Sequence, residues 1–168
     1  MADIFHYPMT FPGWWLDSYY FATWALGMLF LATGWAVFFR YGKFSYGVDF
    51  GCFWKSTLLL VMTTIALGGP NYYNTRFVAE HGQDGDTVRL ADDRIEYRFR
   101  KGSQKQFLFR DIISIYQEPV TFNPPPKIYI VAKNAGMRDS LFVTSNLPDY
   151  ERLLSLLAQR SGIKVKRP

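Results

Sequence analysis

The sequence predicts an α+β membrane protein, in which two transmembrane helices precede a small antiparallel β-sheet domain with a C-terminal helix. Hydrophobic residues make up 49% of the 168 residues, but charged residues are unevenly distributed. Residues 1–75 hold three Lys or Arg and three acids, so the net charge of +5 belongs to the rest of the chain. Two long apolar stretches occupy the first part, and an alternating pattern typical of strands occupies the second.

The first predicted span covers residues 18–39, which contain no charged residue between Asp17 and Arg40. A helix of that length extends about 33 Å, enough for a hydrocarbon core of about 30 Å. The stretch is apolar on all sides, as expected for a helix surrounded by lipid. Residues 1–17 lack a basic segment, which argues against a cleavable signal peptide. We expect them to form an interfacial N-terminal segment.

The second predicted span covers residues 50–69 and ends before Pro70. Lys55 lies near its start, where the ammonium group can reach the lipid headgroups. The short connection predicts a helical hairpin over residues 18–70, which places both termini on one side of the membrane. The side of the C-terminal domain stays open. Arg40 and Lys43 favour a cytoplasmic connection, whereas the basic C-terminal domain suits an anionic cytoplasmic leaflet.

Aromatic side chains flank both predicted spans. Trp and Tyr are enriched where a membrane meets water, because their rings are amphipathic. We therefore expect eight residues to act as membrane-interface anchors: Trp14, Trp15, Tyr19, Tyr20, Trp35, Trp54, Tyr72 and Tyr73.

The polar part begins with a predicted connector, residues 71–86, followed by a β-domain over residues 87–168. Apolar residues alternate with charged ones between Arg94 and Arg100, which is typical of a half-buried strand. The predicted strands are 87–90, 94–100, 106–110, 113–118, 127–133 and 140–145. The stiff stretch Pro124–Pro126 precedes the fifth of them.

A C-terminal helix closes the predicted domain. Leu153, Leu154 and Leu157 share one face at helical spacing. Ser145 or Asn146 is the predicted cap, with Pro148 in the first turn. Gly162 is expected just beyond the last turn.

Three segments of this domain resemble a known family: Val88–Tyr97 (VRLADDRIEY), Phe107–Ile115 (FLFRDIISI) and Asp149–Leu154 (DYERLL). They are similar to bacterial pleckstrin-homology-like domains, which follow pairs of membrane helices in many small bacterial membrane proteins. The resemblance covers residues 87–161. It implies a pleckstrin-homology-like sheet, an N-terminal two-helix membrane hairpin and a location in the bacterial inner membrane, with the domain on the cytoplasmic side.

No motif in the sequence indicates an enzyme, a metal site or a cofactor site. The two histidines, His6 and His81, are far apart, and Cys52 is the only cysteine. Asp84 and Asp86 flank a glycine, but the other ligands of a calcium loop are missing. The sequence therefore predicts a non-enzymatic protein without cofactors.

A basic set is the best candidate for binding anionic lipid or an acidic partner. Its members are Arg94, Arg98, Arg100, Lys101, Lys105 and Arg110. The alternating pattern puts Arg94, Arg98 and Arg100 on one strand face. A solvated strand face balanced by Glu96 and Asp111 is the simpler interpretation.

Two classes of function follow from these features. The first is an accessory or assembly subunit that docks in a larger membrane protein complex through its aromatic helices and β-domain. The second is a stand-alone membrane-surface module that binds anionic lipid or an envelope-signalling partner, and a weaker alternative is an immunity or stress protein. Membrane lipids and other membrane subunits are the expected partners. Nucleic acid is not, because the sequence carries no motif that reads it.

Overall fold

Two units make up the chain, and each is described separately. A computed structural model describes residues 2–41, 50–119, 125–134 and 136–168. The first unit combines Met1–Phe11 with Ala79–Pro168, and the second is Pro12–Val78. The β-domain is therefore discontinuous in sequence, with the second unit inserted after its first strand.

The first sheet is antiparallel and has the strand order β1-β2-β3-β4. Its strands are β1 (Asp3–His6), β2 (Thr87–Leu90), β3 (Arg94–Arg98) and β4 (Gln104–Leu108). Phe5, Val88 and Tyr97 face the core, whereas Ile4, Arg89 and Glu96 face outward.

The second sheet has the strand order β7-β6-β5-β8. Its strands are β5 (Ile112–Gln117), β6 (Lys127–Asn134), β7 (Met137–Thr144) and β8 (Val165–Lys166). All pairings are antiparallel except that of β5 with β8. A 3-10 turn over Phe109–Asp111 connects the two sheets.

A single core joins both sheets and the last helix, α3 (Tyr150–Ser161). Leu153, Leu154 and Leu157 project from α3 into this core. Its fully buried large side chains include Leu90, Ile95, Tyr97, Ile115, Ile128, Ile130, Val143, Leu153 and Leu157. The predicted α+β domain with an antiparallel sheet and a C-terminal helix is thus confirmed. Its strands lie within a few residues of the predicted bounds.

Three local predictions about this domain were wrong. Residues 3–6 form β1 rather than part of an interfacial segment, because Phe5 and the following Tyr7 are buried in the core. Residues 165–166, for which the sequence predicts no strand, form β8. The last helix begins at Tyr150 with Asp149 before it at φ 58°, so neither Ser145 nor Asn146 caps it. The Leu147 side chain is buried and its N–H donates to the Thr144 carbonyl at 3.2 Å, so residues 144–147 form a turn ahead of the helix.

The second unit consists of α1 (Gly13–Tyr41) and most of α2 (Phe50–His81). The two helices are antiparallel. Tyr19 stacks on Phe77 at 3.7 Å between ring centroids, and the amide of Asn74 donates to the Thr23 hydroxyl at 2.8 Å. The predicted connection lies outside the described residues from 42 to 49.

Glycines of α1 allow the helices to approach closely. A methyl group on Gly27 would lie 2.6 Å from the Ala66 carbonyl oxygen, and one on Gly34 would lie 2.6 Å from Cε of Met62. Ala32 and Ala36, which are also small and lie one helical turn apart, are exposed instead. Small residues at such contacts are typical of helices that pack in membranes.

The prediction that the second helix ends before Pro70 was wrong, because α2 continues to His81. Most of the predicted connector 71–86 is therefore helical. Proline leaves the carbonyl four residues earlier, that of Ala66, without its helical donor. Gly27 of α1 lies against both this carbonyl and the Pro70 ring, so the packing of the helix pair accommodates the proline.

One described helical segment, Gly13–Arg40, is long and apolar enough to cross a membrane. Of the two predicted spans, the first therefore coincides with such a helix, α1, and the described residues of α2 do not meet the same criterion. Lys55 and the asparagines Asn71 and Asn74 make α2 more polar than α1.

Candidate functional site

The predicted basic set does not gather on one surface. Arg94 and Arg98 lie on the outer face of β3, but Lys105 is opposite Tyr97 in the register and so lies on the other face of the sheet. Arg100 follows the end of β3, Lys101 lies in the turn before β4, and Arg110 lies in the 3-10 turn.

Neighbouring acids engage several members of this set. Arg94 donates two hydrogen bonds to Asp93, at 2.9 and 3.2 Å, and these hold the pKa of that carboxyl below its usual range. Lys105 donates to Asp139 at 2.6 Å and lowers the pKa of that acid likewise. Exposed pairs of this kind contribute little to stability. They do reduce the positive charge that the set offers to a ligand.

The predicted membrane-interface anchors concentrate at one end of the helix pair. Trp14, Trp15, Tyr19 and Tyr20 lie in the first turns of α1. Thr23 of α1 is level with Asn74 of α2. Tyr72 and Tyr73 of α2 therefore lie about one turn further from this end of the helix pair than Tyr20 does. Trp54 lies near the opposite end, and Trp35 about two turns inside it. Six anchors are more than 40% exposed: Trp14, Tyr20, Trp35, Trp54, Tyr72 and Tyr73.

A buried polar network, which the sequence did not predict, lies where the chain leaves β1 and enters β2. The carboxylate of Asp86 accepts a hydrogen bond from the Tyr97 hydroxyl at 2.7 Å and another from the Arg100 backbone N–H at 2.7 Å. The side chain of Gln83 donates to the Tyr97 hydroxyl at 2.9 Å and accepts from Thr144 at 2.7 Å.

Residues from the N-terminal segment join the same network. The Tyr7 N–H donates to the Asp86 carbonyl, and the Tyr7 hydroxyl accepts from the Thr144 N–H, both at 2.9 Å. The Thr10 N–H donates to Asp84 at 3.1 Å. These bonds fix residues 7–10 next to residues 84–86, and so join the two sequence segments of the β-domain.

Burial sets the ionisation of this network. It raises the pKa of Asp86, although hydrogen bonds from Tyr97 and Arg100 oppose the shift. Burial and the nearby Asp86 carboxylate also raise the pKa of Tyr97. The hydroxyl therefore stays a proton donor to Asp86. The closed arrangement of partners indicates a structural joint rather than a reaction centre.

The outer face of the second sheet has a different composition from that of the first. Tyr116, Tyr129 and Phe142 are directly opposite one another across β5, β6 and β7. Their ring centroids are 5.5 and 5.7 Å apart, and we call these three residues the aromatic row. Antiparallel sheets usually present polar side chains on a solvated face. Most outward positions of the first sheet follow that rule, with Thr87, Arg89, Arg94, Glu96, Arg98, Gln104 and Gln106, and Ile4 and Leu108 are apolar exceptions.

Cations surround the aromatic row. Their registers place Lys127, Lys133, Arg138 and Lys166 on the same face, and we call these four the cationic flank. The Lys127 ammonium lies 5.2 Å from the centre of the Phe142 ring. Glu118 is the one acid near the row among the residues that the structure describes, and burial together with its charge raises the pKa of Tyr129. Sequence reasoning missed this face because the three aromatic residues come from three different strands.

No metal-binding group was found in the part of the chain that the structure describes, where no three His, Cys, Asp or Glu side chains come together. What the described surface offers chemically is apolar helix surface, exposed cations and an aromatic sheet face.

Comparisons with known proteins place few constraints on function. No protein-family model and no curated protein matches the chain. One solved structure that it resembles is the Spt16D Pob3N heterodimer, at 13% identity and a TM-score of 0.37. The match covers 49% of this chain and 45% of that one, so it spans less than half of the solved chain.

Proposed function

We propose that the protein is a two-pass membrane protein that serves as a non-enzymatic accessory or assembly subunit of a larger membrane complex. The observation that carries this proposal is the exposed apolar surface of α1 and α2. Phe21 is 72% exposed and Trp54 is 69% exposed, and leucines between them along the pair are similarly open. Such a surface is stable only against lipid or protein, because large apolar patches in water mark interaction sites.

The position of β1 supports two crossings rather than one. This strand precedes α1, but it pairs with β2, which follows α2. Both strands thus belong to one water-facing domain, and a chain that leaves and re-enters such a domain crosses a membrane an even number of times. If α1 crosses, α2 must return, even though it is the more polar helix.

Contacts between α2 and α1 explain how α2 can lie in a bilayer despite its polar residues. The side chain of Asn74 is buried and its amide N–H donates to the Thr23 hydroxyl of α1, so this amide is not exposed to lipid, although its Oδ1 accepts no hydrogen bond from a described residue. Polar residues in membrane helices typically face a neighbouring helix in this way. Lys55 lies in the second turn of α2, from where its ammonium group can reach the headgroups.

The β-domain is best described, within the proposal, as pleckstrin-homology-like. Two four-stranded sheets followed by a C-terminal helix are consistent with the family resemblance of residues 87–161. Fold alone says nothing about a ligand. An accessory role is preferred over lipid sensing by the basic set, because that set is dispersed and Arg94 and Lys105 are paired with acids.

Purification from native membranes in a mild detergent, followed by mass analysis of the intact complex, tests this function. We expect one or more other membrane proteins in stoichiometric amounts. A clean monomer or homo-oligomer would contradict the accessory role. Extraction of the same membranes with alkaline carbonate tests the anchoring separately, because an integral protein stays in the pellet and a peripheral one is released.

A further inference from the structure

We propose that the outer face of the second sheet binds an acidic polypeptide segment that carries aromatic or aliphatic side chains. This inference deepens the proposed function, on which it rests for the identity of the partner as a protein of the same complex. The surface consists of the aromatic row (Tyr116, Tyr129 and Phe142) and the cationic flank (Lys127, Lys133, Arg138 and Lys166).

Charge complementarity gives the sign of the partner. Among the described residues of this face, four cations accompany the single acid Glu118. Lys133 and Arg138 are directly opposite in the β6–β7 ladder, and no contact links either to a described acid. Like charges in opposing positions destabilise a sheet. An acidic ligand would remove this repulsion, whereas a basic one would increase it.

The aromatic row adds apolar contact and free donors. Tyr and Phe are enriched at the centres of protein interfaces, where charged residues are depleted, and the cations here lie around the row. Neither the Tyr116 nor the Tyr129 hydroxyl hydrogen bonds to another described residue. Each can donate to a carboxylate or a backbone carbonyl of a ligand.

The shape of the face favours a polypeptide over a bilayer surface. Tyr129 and Phe142 are half-buried and lie side by side across the strands, rather than projecting as membrane-inserting side chains do. The row crosses three strands, which is about 10 Å at two strand spacings. That width accommodates one extended segment or one helix.

Binding of a random copolymer of glutamate and tyrosine to the full chain, held in nanodiscs of a zwitterionic lipid, tests the inference. We expect binding that weakens with added salt, and weaker binding of polyglutamate, which cannot use the aromatic row. Lys127→Glu/Lys166→Glu should weaken binding at least about tenfold, because reversing both charges replaces attraction with repulsion. Tyr129→Ala should weaken it about thirtyfold if the ring is a hot spot.

The first sheet provides a matched control. Arg89→Glu/Arg98→Glu makes the same change in charge on the outer face of the first sheet and should alter binding less than about threefold, as expected for charges outside the contact. Circular dichroism of each variant separates lost binding from lost folding. If Tyr129→Ala unfolds, the Lys127→Glu/Lys166→Glu variant still tests the inference, because it changes only surface side chains.

Three results would overturn the inference. One is that the copolymer does not bind, and another is that both double variants weaken binding equally. The third is that vesicles of anionic phosphatidylglycerol displace the copolymer and bind the face more tightly, which would assign the face to lipid. None of these results bears on the native complex, so failure here is distinguishable from failure of the accessory role.

Discussion

Removal of a single hydroxyl, by Tyr97→Phe, tests whether the buried polar network joins the two segments of the β-domain. The Tyr97 hydroxyl donates to Asp86 at 2.7 Å and accepts from the Gln83 amide at 2.9 Å. The substitution leaves the ring and its packing in place. It removes the strongest side-chain partner of a buried carboxylate.

The expected loss of stability follows from the hydrogen bonds that Asp86 and Gln83 keep after the substitution. Asp86 keeps the hydrogen bond from the Arg100 N–H, and Gln83 keeps its bond to the Phe142 carbonyl. The loss is thus one hydrogen bond to a charged group, which contributes about 1.5–3 kcal/mol, and one neutral hydrogen bond from the Gln83 amide, which contributes about 0.5–1.5 kcal/mol. We expect the free energy of unfolding of the β-domain to fall by about 2–4 kcal/mol.

Hydrogen exchange measured by mass spectrometry on the full chain in detergent reports on this domain. Tryptophan emission does not, because all five tryptophans lie between residues 14 and 54. Exchange of the core amides of β2 and β3 should accelerate by a factor of about thirty or more. Tyr116→Phe is the matched control, since its hydroxyl has no described partner, and it should change stability by less than about 0.5 kcal/mol. Equal exchange in the two variants would refute the reasoning.

Three further predictions concern other contacts. Gly27→Ala should destabilise the helix pair by about 1–3 kcal/mol through overpacking against Ala66, whereas Gly68→Ala meets open space and should not, as measured by tryptophan emission during denaturation. Asp86 binds its proton more tightly in the folded state, because its folded pKa is raised. Its contribution to stability therefore falls as pH rises from the unfolded pKa of about 3.8 through the raised folded value. The difference in free energy of unfolding between wild type and Asp86→Asn should fall over the same pH range. Asp3 accepts hydrogen bonds from Arg160 at 2.8 Å and from a second arginine of α3, so Asp3→Ala should speed exchange in β1 about tenfold, whereas unchanged exchange would show that these bonds do not hold the strand.

Local periodicity predicted most of the β-domain because its strands alternate clearly. Ile95 and Tyr97 are buried while Arg94, Glu96 and Arg98 are not, as the sequence pattern indicates. The first strand escaped prediction for a different reason. It has four residues, and its partner β2 lies about eighty positions later in the chain, a distance over which periodicity carries no information.

The second helix shows where a reliable local rule yields to tertiary packing. Proline usually ends or kinks a helix, so a boundary at Pro70 was the natural expectation. Gly27 of α1 instead provides space for the proline ring, and α2 continues beyond it.

Site prediction failed where it needed strand register. Lys105 was grouped with Arg98 by nearness in sequence, but the β3–β4 register puts the two on opposite faces. Prediction of the aromatic row would have required two strand registers at once, because Tyr116, Tyr129 and Phe142 come from three strands.

Labelling of single cysteines in sealed membranes tests the central claim most directly, namely that one discontinuous domain is anchored by two crossings. In a Cys52→Ser background, cysteine replaces the exposed residues Ala2, before β1, and Ser103, before β4. A membrane-impermeant maleimide should label both positions from the same side of the membrane, because β1 and β4 belong to one sheet. Labelling of the two positions from opposite sides would contradict the account.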